Sequence, residues 1–262
     1  MRRLSTDLAA SLRSPEFWAL SSWLDVVVRY RQSRLGIFWL VAPAIVYIWG
    51  LGGSFARMMG TSPLQFAAHV GLGYLVFRVI STVMTESTTA FAASSPFILD
   101  GHVRLTDFVL RVLAKALFYF GASLPVLAVA LALFPDPYWP GIFLSLAALV
   151  LVVANVLWIA IVGALVGARF PDIGQLLANI FVFAFLVTPI IWYAESMPHD
   201  SLRGMVMRAN PLFHMIELVR APLLGAPVEL FSVYYLAAMT LAGWMLAALA
   251  YRRYAHFVPL WV

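Results

Sequence analysis

Apolar residues run along this chain in six long blocks: Gly36 to Ala56, Phe66 to Thr85, Val109 to Phe134, Gly141 to Gly167, Gly174 to Ala194 and Leu230 to Tyr251. A hydrocarbon core of about 30 Å takes roughly 20 mainly apolar residues in helix to cross, so each block predicts a membrane-spanning α-helix. The second and third are the most interrupted, because Arg78 stands inside one while Arg111 and Lys115 open the other. The expected fold class is all-α, a polytopic membrane protein with six transmembrane helices. It reads as a single transmembrane domain over 1–262, with 1–35 cytoplasmic or interfacial, 36–251 the six-span body and 252–262 a cytoplasmic tail.

Three segments outside the blocks have patterns of their own. From Pro15 to Arg34, Phe17, Trp18, Leu20, Trp23, Leu24, Val27 and Val28 recur at spacings of three and four among polar residues, which predicts an amphipathic helix in the headgroup plane. SSPFILDGHVRLTDF, between the second and third blocks, reads as a compact cytoplasmic loop with Pro96 and Gly101 as breakers and Thr106 as candidate cap. The stretch Glu195 to Glu229 holds apolar runs too short to span, broken by Pro198, Pro211, Pro222 and Pro227. It predicts short re-entrant or interfacial helices.

Charge orients the blocks. Arg2, Arg3, Arg13, Arg29, Arg31, Arg34, Arg104, Arg111, Lys115, Arg169, Arg252 and Arg253 fall on one side, and Arg57, Arg203, Arg208 and Arg220 on the other. The positive-inside bias makes the richer side, which carries both ends, cytoplasmic. Composition agrees with a lipid environment: 63% hydrophobic and 11% charged with a mean hydropathy of +0.91, against about 25% charged in soluble domains. The formal charge of +5 is spread beside apolar blocks and not along a soluble stripe, so the expected partners are lipid headgroups and cytoplasmic protein, with no nucleic acid. The basic N-terminus lacks an apolar signal core, and no cleaved signal peptide is expected. Zero cysteines exclude disulfides and thiolate chemistry.

Little of the remaining chemistry suggests catalysis. No phosphate loop, dinucleotide fingerprint, HExxH or GxSxG occurs. His69, His102, His199, His214 and His256 are scattered, and read as isolated surface or interface residues in place of metal ligands. Arg78, with Glu86 two turns on, reads first as an interhelical or snorkelling partner and second as a contact for an anionic substrate. Phe38, Trp39 and Tyr47 in the first block, and Phe181, Phe185 and Trp192 in the fifth, suggest an aromatic path on which sugar rings could stack. Phe181, Phe185 and Trp192 share one helical face at i, i+4 and i+11; lipid-facing bulk is the plainer reading.

Four stretches together resemble the transmembrane subunit of ATP-binding-cassette type 2 polysaccharide exporters, the permeases of O-antigen, capsule and teichoic acid. They are WLDVVVRYRQSRLGIFWLVAPAI, ARFPDIGQLL, LVTPIIWYAESMP and NPLFHMIELVRAPLLG. In ARFPDIGQLL, Phe170 and Pro171 separate Arg169 from Asp172, a small departure from the family's R-D-I. The resemblance implies a non-catalytic half-transporter in a bacterial inner membrane. Two copies would pair as a homodimer above two ABC ATPase subunits, which bind ATP and Mg, and would export an undecaprenyl-diphosphate-linked polysaccharide for lipopolysaccharide biosynthesis. No cofactor is expected in this chain. Phe97, Asp100, Arg104 and Asp107 would couple to the ATPase, Arg169 and Asp172 lie in a cytoplasmic loop, and Asn210, Pro211 and Arg220 mark periplasmic re-entrant helices. Arg29, Arg31 and Arg34 are placed by charge and depth to meet the lipid diphosphate or ordinary anionic lipid. Two alternatives stay open: an exporter of small lipids or drugs, and an intramembrane transferase, for which the scattered Asp136, Glu195, Asp200 and Glu217 offer no convergent pair.

Overall fold

The computed structural model describes residues 3–31, 33–36, 38–134, 138–198 and 200–262. The readings made above for Arg2, Asp136 and His199 therefore lie outside the described residues. Among the described residues the fold is entirely helical: α1 (Leu4–Arg13), α2 (Glu16–Arg31), α3 (Phe38–Phe55), α4 (Pro63–Ala90), α5 (Ser95–Asp100), α6 (Leu105–Ala132), α7 (Gly141–Arg169), α8 (Ile173–Val187), α9 (Leu202–Ala209), α10 (Pro211–Leu223), α11 (Leu230–Tyr254) and α12 (Val258–Trp261).

Five of these, α3, α4, α6, α7 and α11, are long and apolar enough to cross a bilayer. The sixth expected span is shorter than its apolar block. α8 stops at Val187 and not at Ala194, because the ring of Pro189 disfavours helical backbone at the preceding residue, and Thr188 is extended at φ −80°, ψ 136°. At 1.5 Å per residue its 15 residues reach only about 22 Å. From Thr188 to Tyr193 the chain runs on to the level of His69 without a regular helix.

Both termini lie at one end of the bundle, here the termini end: the Tyr251 hydroxyl near the close of α11 donates to Asp7 Oδ2 of α1 at 2.7 Å. α1 is further tied by a 2.6 Å hydroxyl pair between Ser11 and Thr106 and by Trp18 Nε1 donating to Ser11 O at 2.9 Å. Thr106 is thus not the cap of α6. That role falls to Asp107, whose Oδ2 accepts from Arg104 N at 3.2 Å, while Thr106 is buried against α1. Pro96 starts α5 and Gly101, at φ +78°, ends it, as breakers should.

α4 is the central helix. Its most apolar window is 83% buried, and it packs against α3, α6, α7, α8 and α10. The polar residues that weaken it as a span are tolerated because protein, not lipid, surrounds it. α3 carries Pro43, which leaves the carbonyl four residues back without its helical donor, and a π-helical turn follows at Val46–Leu51. α7 and α11 are joined at mid-length by fully buried Asn155, which donates to Thr240 Oγ1 at 2.7 Å and accepts from Trp158 Nε1 at 3.0 Å, a polar seam of the kind that helices use in lipid.

Helix contact is close where α7 crosses the end of α4 and equally where its start meets α10 at Gly141. A Cβ at Gly167 would lie 2.0 Å from Thr88 O, whereas one at Gly121 of α6 meets nothing within 4 Å. Gly167→Ala should therefore lower the stability of the detergent-purified chain by about 1–3 kcal/mol, and Gly121→Ala should leave it unchanged or raise it by about 0.5–1 kcal/mol. Thermal unfolding of the two variants side by side checks the crossing.

Candidate functional site

The aromatic face of α4 makes a groove with α3 and α8. Tyr74, Phe77, Arg78 and Ser81 recur at i, i+3, i+4 and i+7, which places them on one face of α4. They line a cavity of about 380 Å³ with Tyr47, Phe181 and Phe185. Tyr47 stacks on Tyr74 with ring centres 4.0 Å apart, Phe185 stands edge-on to Tyr47 at 5.6 Å and to Phe77 at 5.3 Å, and Phe181 meets Phe77 at 5.8 Å. Such offset and edge contacts fix the rings, so the groove has a rigid apolar wall. Arg78 adds a cation: its guanidinium donates to Leu40 O at 3.4 Å and lies 5.5 Å over the Tyr119 ring. The interhelical reading of Arg78 fits that geometry, and the same side chain edges the groove.

Three of the six aromatic residues expected on a common path come together, and three do not. Phe38 and Trp39 are exposed near the start of α3, with ring centres 6.5 Å apart. Trp192 lies past the end of α8, so it shares no helical face with Phe181 and Phe185. Its indole donates to Leu186 O at 3.1 Å and lines a separate cavity with Met197, Leu202 and Val206.

At the termini end, α2 lies along the first turns of α6. Phe17 meets Phe108 at 5.7 Å, Asp25 accepts from Arg111 Nε at 2.8 Å and Nη2 at 2.6 Å, and Arg29 donates to Tyr119 Oη at 3.4 Å. Glu86 of α4 pairs with Lys115 of α6 beside them. The three arginines expected at this level are all exposed, and Arg29 among them reaches the bundle through Tyr119. The α5 region presents Phe97, Leu99, Asp100 and His102 outward, and Phe97 touches Phe17 of α2 at 5.9 Å. Arg104 is partly exposed, but Asp107 is buried as the α6 cap and offers no docking surface. Arg169 and Asp172 are both exposed at the α7–α8 turn.

The far end holds a buried ionic knot. Arg220 of α10 is 3% exposed; it pairs with Glu217, donates to Pro189 O at 2.6 Å and lies 3.0 Å from His69 Nε2, which is also 3.1 Å from Trp192 O. The side chains thus supply partners to the carbonyls that the break after α8 leaves over. Asn210 caps α10 through Oδ1, accepting from Leu212 N at 3.0 Å, and its Nδ2 donates to Thr188 Oγ1 at 2.9 Å; Pro211 occupies the first turn. His214 is buried between Ser232 Oγ (2.8 Å) and Arg208 O (2.7 Å). Burial holds its pKa below the ordinary imidazole range, so the ring bridges α10 and α11 in its neutral form. His69 and His214 are therefore not isolated, and Glu217 belongs to an ion pair.

The bundle thus has an amphipathic helix before its first span and a capped helical hairpin before its last. The sequence model of ABC-2 type transporters covers residues 16–224, which takes in α2 through α10. The chain belongs to the ABC-2 type transporter family. It is thus the membrane subunit of an ABC exporter and works with an ABC ATPase subunit. No curated protein matches the chain. In this ABC-2 permease the match ends just after α10, so the aromatic groove, the α2–α6 contact and the ionic knot all lie inside the family's segment.

The knot yields a measurable expectation. Arg220→Met strands a buried carboxylate and a carbonyl and should cost about 3–5 kcal/mol, whereas removing both charges with Glu217→Gln and Arg220→Met together should cost less. Thermal unfolding in detergent distinguishes them: a double variant no better than the single one would mean that the pair is not coupled.

Proposed function

We propose that this permease exports a lipid-linked polysaccharide of the O-antigen type across a bacterial inner membrane, as a homodimer driven by two ATPase subunits. The observation that carries the reading is the groove of Tyr47, Tyr74, Phe77, Phe181 and Phe185, whose rings offer flat apolar faces at mid-bundle while Arg78, Ser81 and the tyrosine hydroxyls supply hydrogen bonds. Sugar rings present C–H faces and a rim of hydroxyls, and a wall of this composition suits both. The groove is open to the surface, and two of its α8 lining residues, Val182 and Leu186, are exposed. A second copy facing it would close a tube.

In this reading the termini end is cytoplasmic. The positive-inside count supports it, and Arg208 and Arg220 at the far end are each paired with a carboxylate. The ATPase would seat on Phe97, Leu99 and Asp100. Phe97 touches Phe17, so a push on α5 would be felt by α2. A narrower alternative, export of small lipids or drugs, is favoured by the scarcity of polar groups in the groove; it requires ATPase stimulation by small hydrophobic compounds.

Phe185→Ala or Tyr47→Ala should lower surface polysaccharide by roughly tenfold, because each ring supplies about 1–2 kcal/mol of stacking to a sugar seated on it, with the complex still assembled. Trp192→Ala, outside the groove, should export normally. Equal effects of all three would remove the groove from the mechanism. Orientation has its own check, since the chain has no cysteine and Leu202 and Leu260 are both exposed. An impermeant maleimide applied to intact spheroplasts should label Leu202→Cys and not Leu260→Cys, and the reverse pattern would invert the topology.

A further inference from the structure

Away from the aromatic groove, the termini end carries a cavity of about 470 Å³ between α1 and the last turns of α11. It is larger than the groove, and its lining changes character along its length. Trp244, Ala248 and Arg252 recur at i, i+4 and i+8, which puts them on one face of α11. Eight residues of helix rise about 12 Å, so the wall passes from a guanidinium at the helix end to an indole two turns further into the span. From α1, Leu4 and Leu8 add apolar surface while Arg3 and Ser5 add a second cation and a hydroxyl.

The charges at this cavity do not cancel. Neither the Arg3 nor the Arg252 guanidinium has a carboxylate partner among the described residues. Asp7, the acidic residue of α1, accepts from the Tyr251 hydroxyl at 2.7 Å. One negative charge so engaged leaves two arginines facing a space with no anion of the protein's own to hold.

The outer face of α11 supplies a separate observation. α11 is the least enclosed span, with 17% of its apolar window buried. Leu241 and Met245, which continue the Ala248 and Arg252 face away from the helix end, are 76% and 64% exposed. An acyl chain of the bilayer can therefore run along α11 straight into the cavity. The order of surfaces, cationic at the helix end and apolar two turns in, repeats the order of headgroup and chain within one leaflet. A free phosphate would use the arginines and leave Leu4, Leu8, Trp244 and Ala248 idle.

We propose that this cavity holds a resident anionic phospholipid, its phosphate between Arg3 and Arg252 and one acyl chain along α11, so that the lipid clips the first helix to the last span. The occupant is a component of the bilayer and not cargo, and the inference stands whatever the permease exports. Because the lipid binds the folded chain alone, it should stabilise the bundle by mass action.

Native mass spectrometry of the detergent-purified permease with its ATPase, titrated with defined lipids, tests the site. Phosphatidylglycerol should be retained and phosphatidylcholine, with the same phosphate and chains but no net charge, should be lost; equal retention overturns the anionic assignment. Arg3→Gln and Arg252→Gln should each weaken phosphatidylglycerol roughly fivefold, the loss expected for one basic residue at a membrane surface. Arg253→Gln should bind as wild type, because Arg253 lies over the Tyr254 ring and not on the cavity; an equal loss there would mean diffuse surface charge and no site. Ala248→Phe fills the cavity at an exposed position without touching a charge, and unchanged binding in that variant overturns the acyl seat. Displacement of the lipid by inorganic phosphate would overturn the lipid assignment, and tighter retention of polyprenyl diphosphate at the same arginines would overturn the resident one. Thermal unfolding supplies the second readout: phosphatidylglycerol should raise the midpoint of the wild type and of Arg253→Gln, and the rise should vanish in Arg3→Gln combined with Arg252→Gln. A rise that survives in that double variant would overturn the clip.

Discussion

Inside a bilayer, a backbone carbonyl that loses its helical donor has no water to turn to, and the architecture of this permease follows from how it meets that demand. The break after α8 is the largest interruption, and the chain answers it with a cation. Arg220 donates to Pro189 O, His69 stands by Trp192 O, and Asn210 ties Thr188. That arrangement requires α10 to lie against α4 and the end of α8, which in turn requires the hairpin of α9 and α10 to fold back into the bundle. A short apolar stretch that could have floated at the surface is instead fixed in the core.

The same constraint sorts polar residues by their surroundings more than by their depth. α4 carries His69, Arg78 and a run of serines and threonines, and it is the helix most enclosed by others. α7 is more apolar and less enclosed. Hydropathy does not rank burial along the whole chain, however, since α11 is hardly more apolar than α4 and is the least buried span. Its polarity sits elsewhere, in Thr240 against Asn155 and in the arginines at its end.

Five of the six expected spans, the amphipathic α2 and the short helices before the last span are legible in the sequence, because each rests on local periodicity and breakers. The end of α8 is not where the apolar block places it, although its signal is present: Pro189 follows Thr188, and an apolar run is not a helical one. The groove is half legible. Phe181 and Phe185 stand out by their spacing, and Tyr74, Phe77 and Arg78 carry the helical spacing that would add them, but interrupted hydropathy makes α4 look like a weak span in place of a lining wall. What no spacing rule could supply are the contacts between distant positions. Asp25 with Arg111, Glu86 with Lys115 and Arg220 with Glu217 beside His69 depend on which faces pack together, and Thr106 looks like a cap only because its buried partner, Ser11, lies far back in the chain.

The truncated α8 also ties the outer hairpin to the aromatic wall. Beyond Val187 the chain has no helical ladder of its own, and Pro189 O and Trp192 O are met by side chains of α10 and α4. A displacement of α10 would therefore pull on the end of α8, and through it on Phe181 and Phe185, by covalent continuity alone.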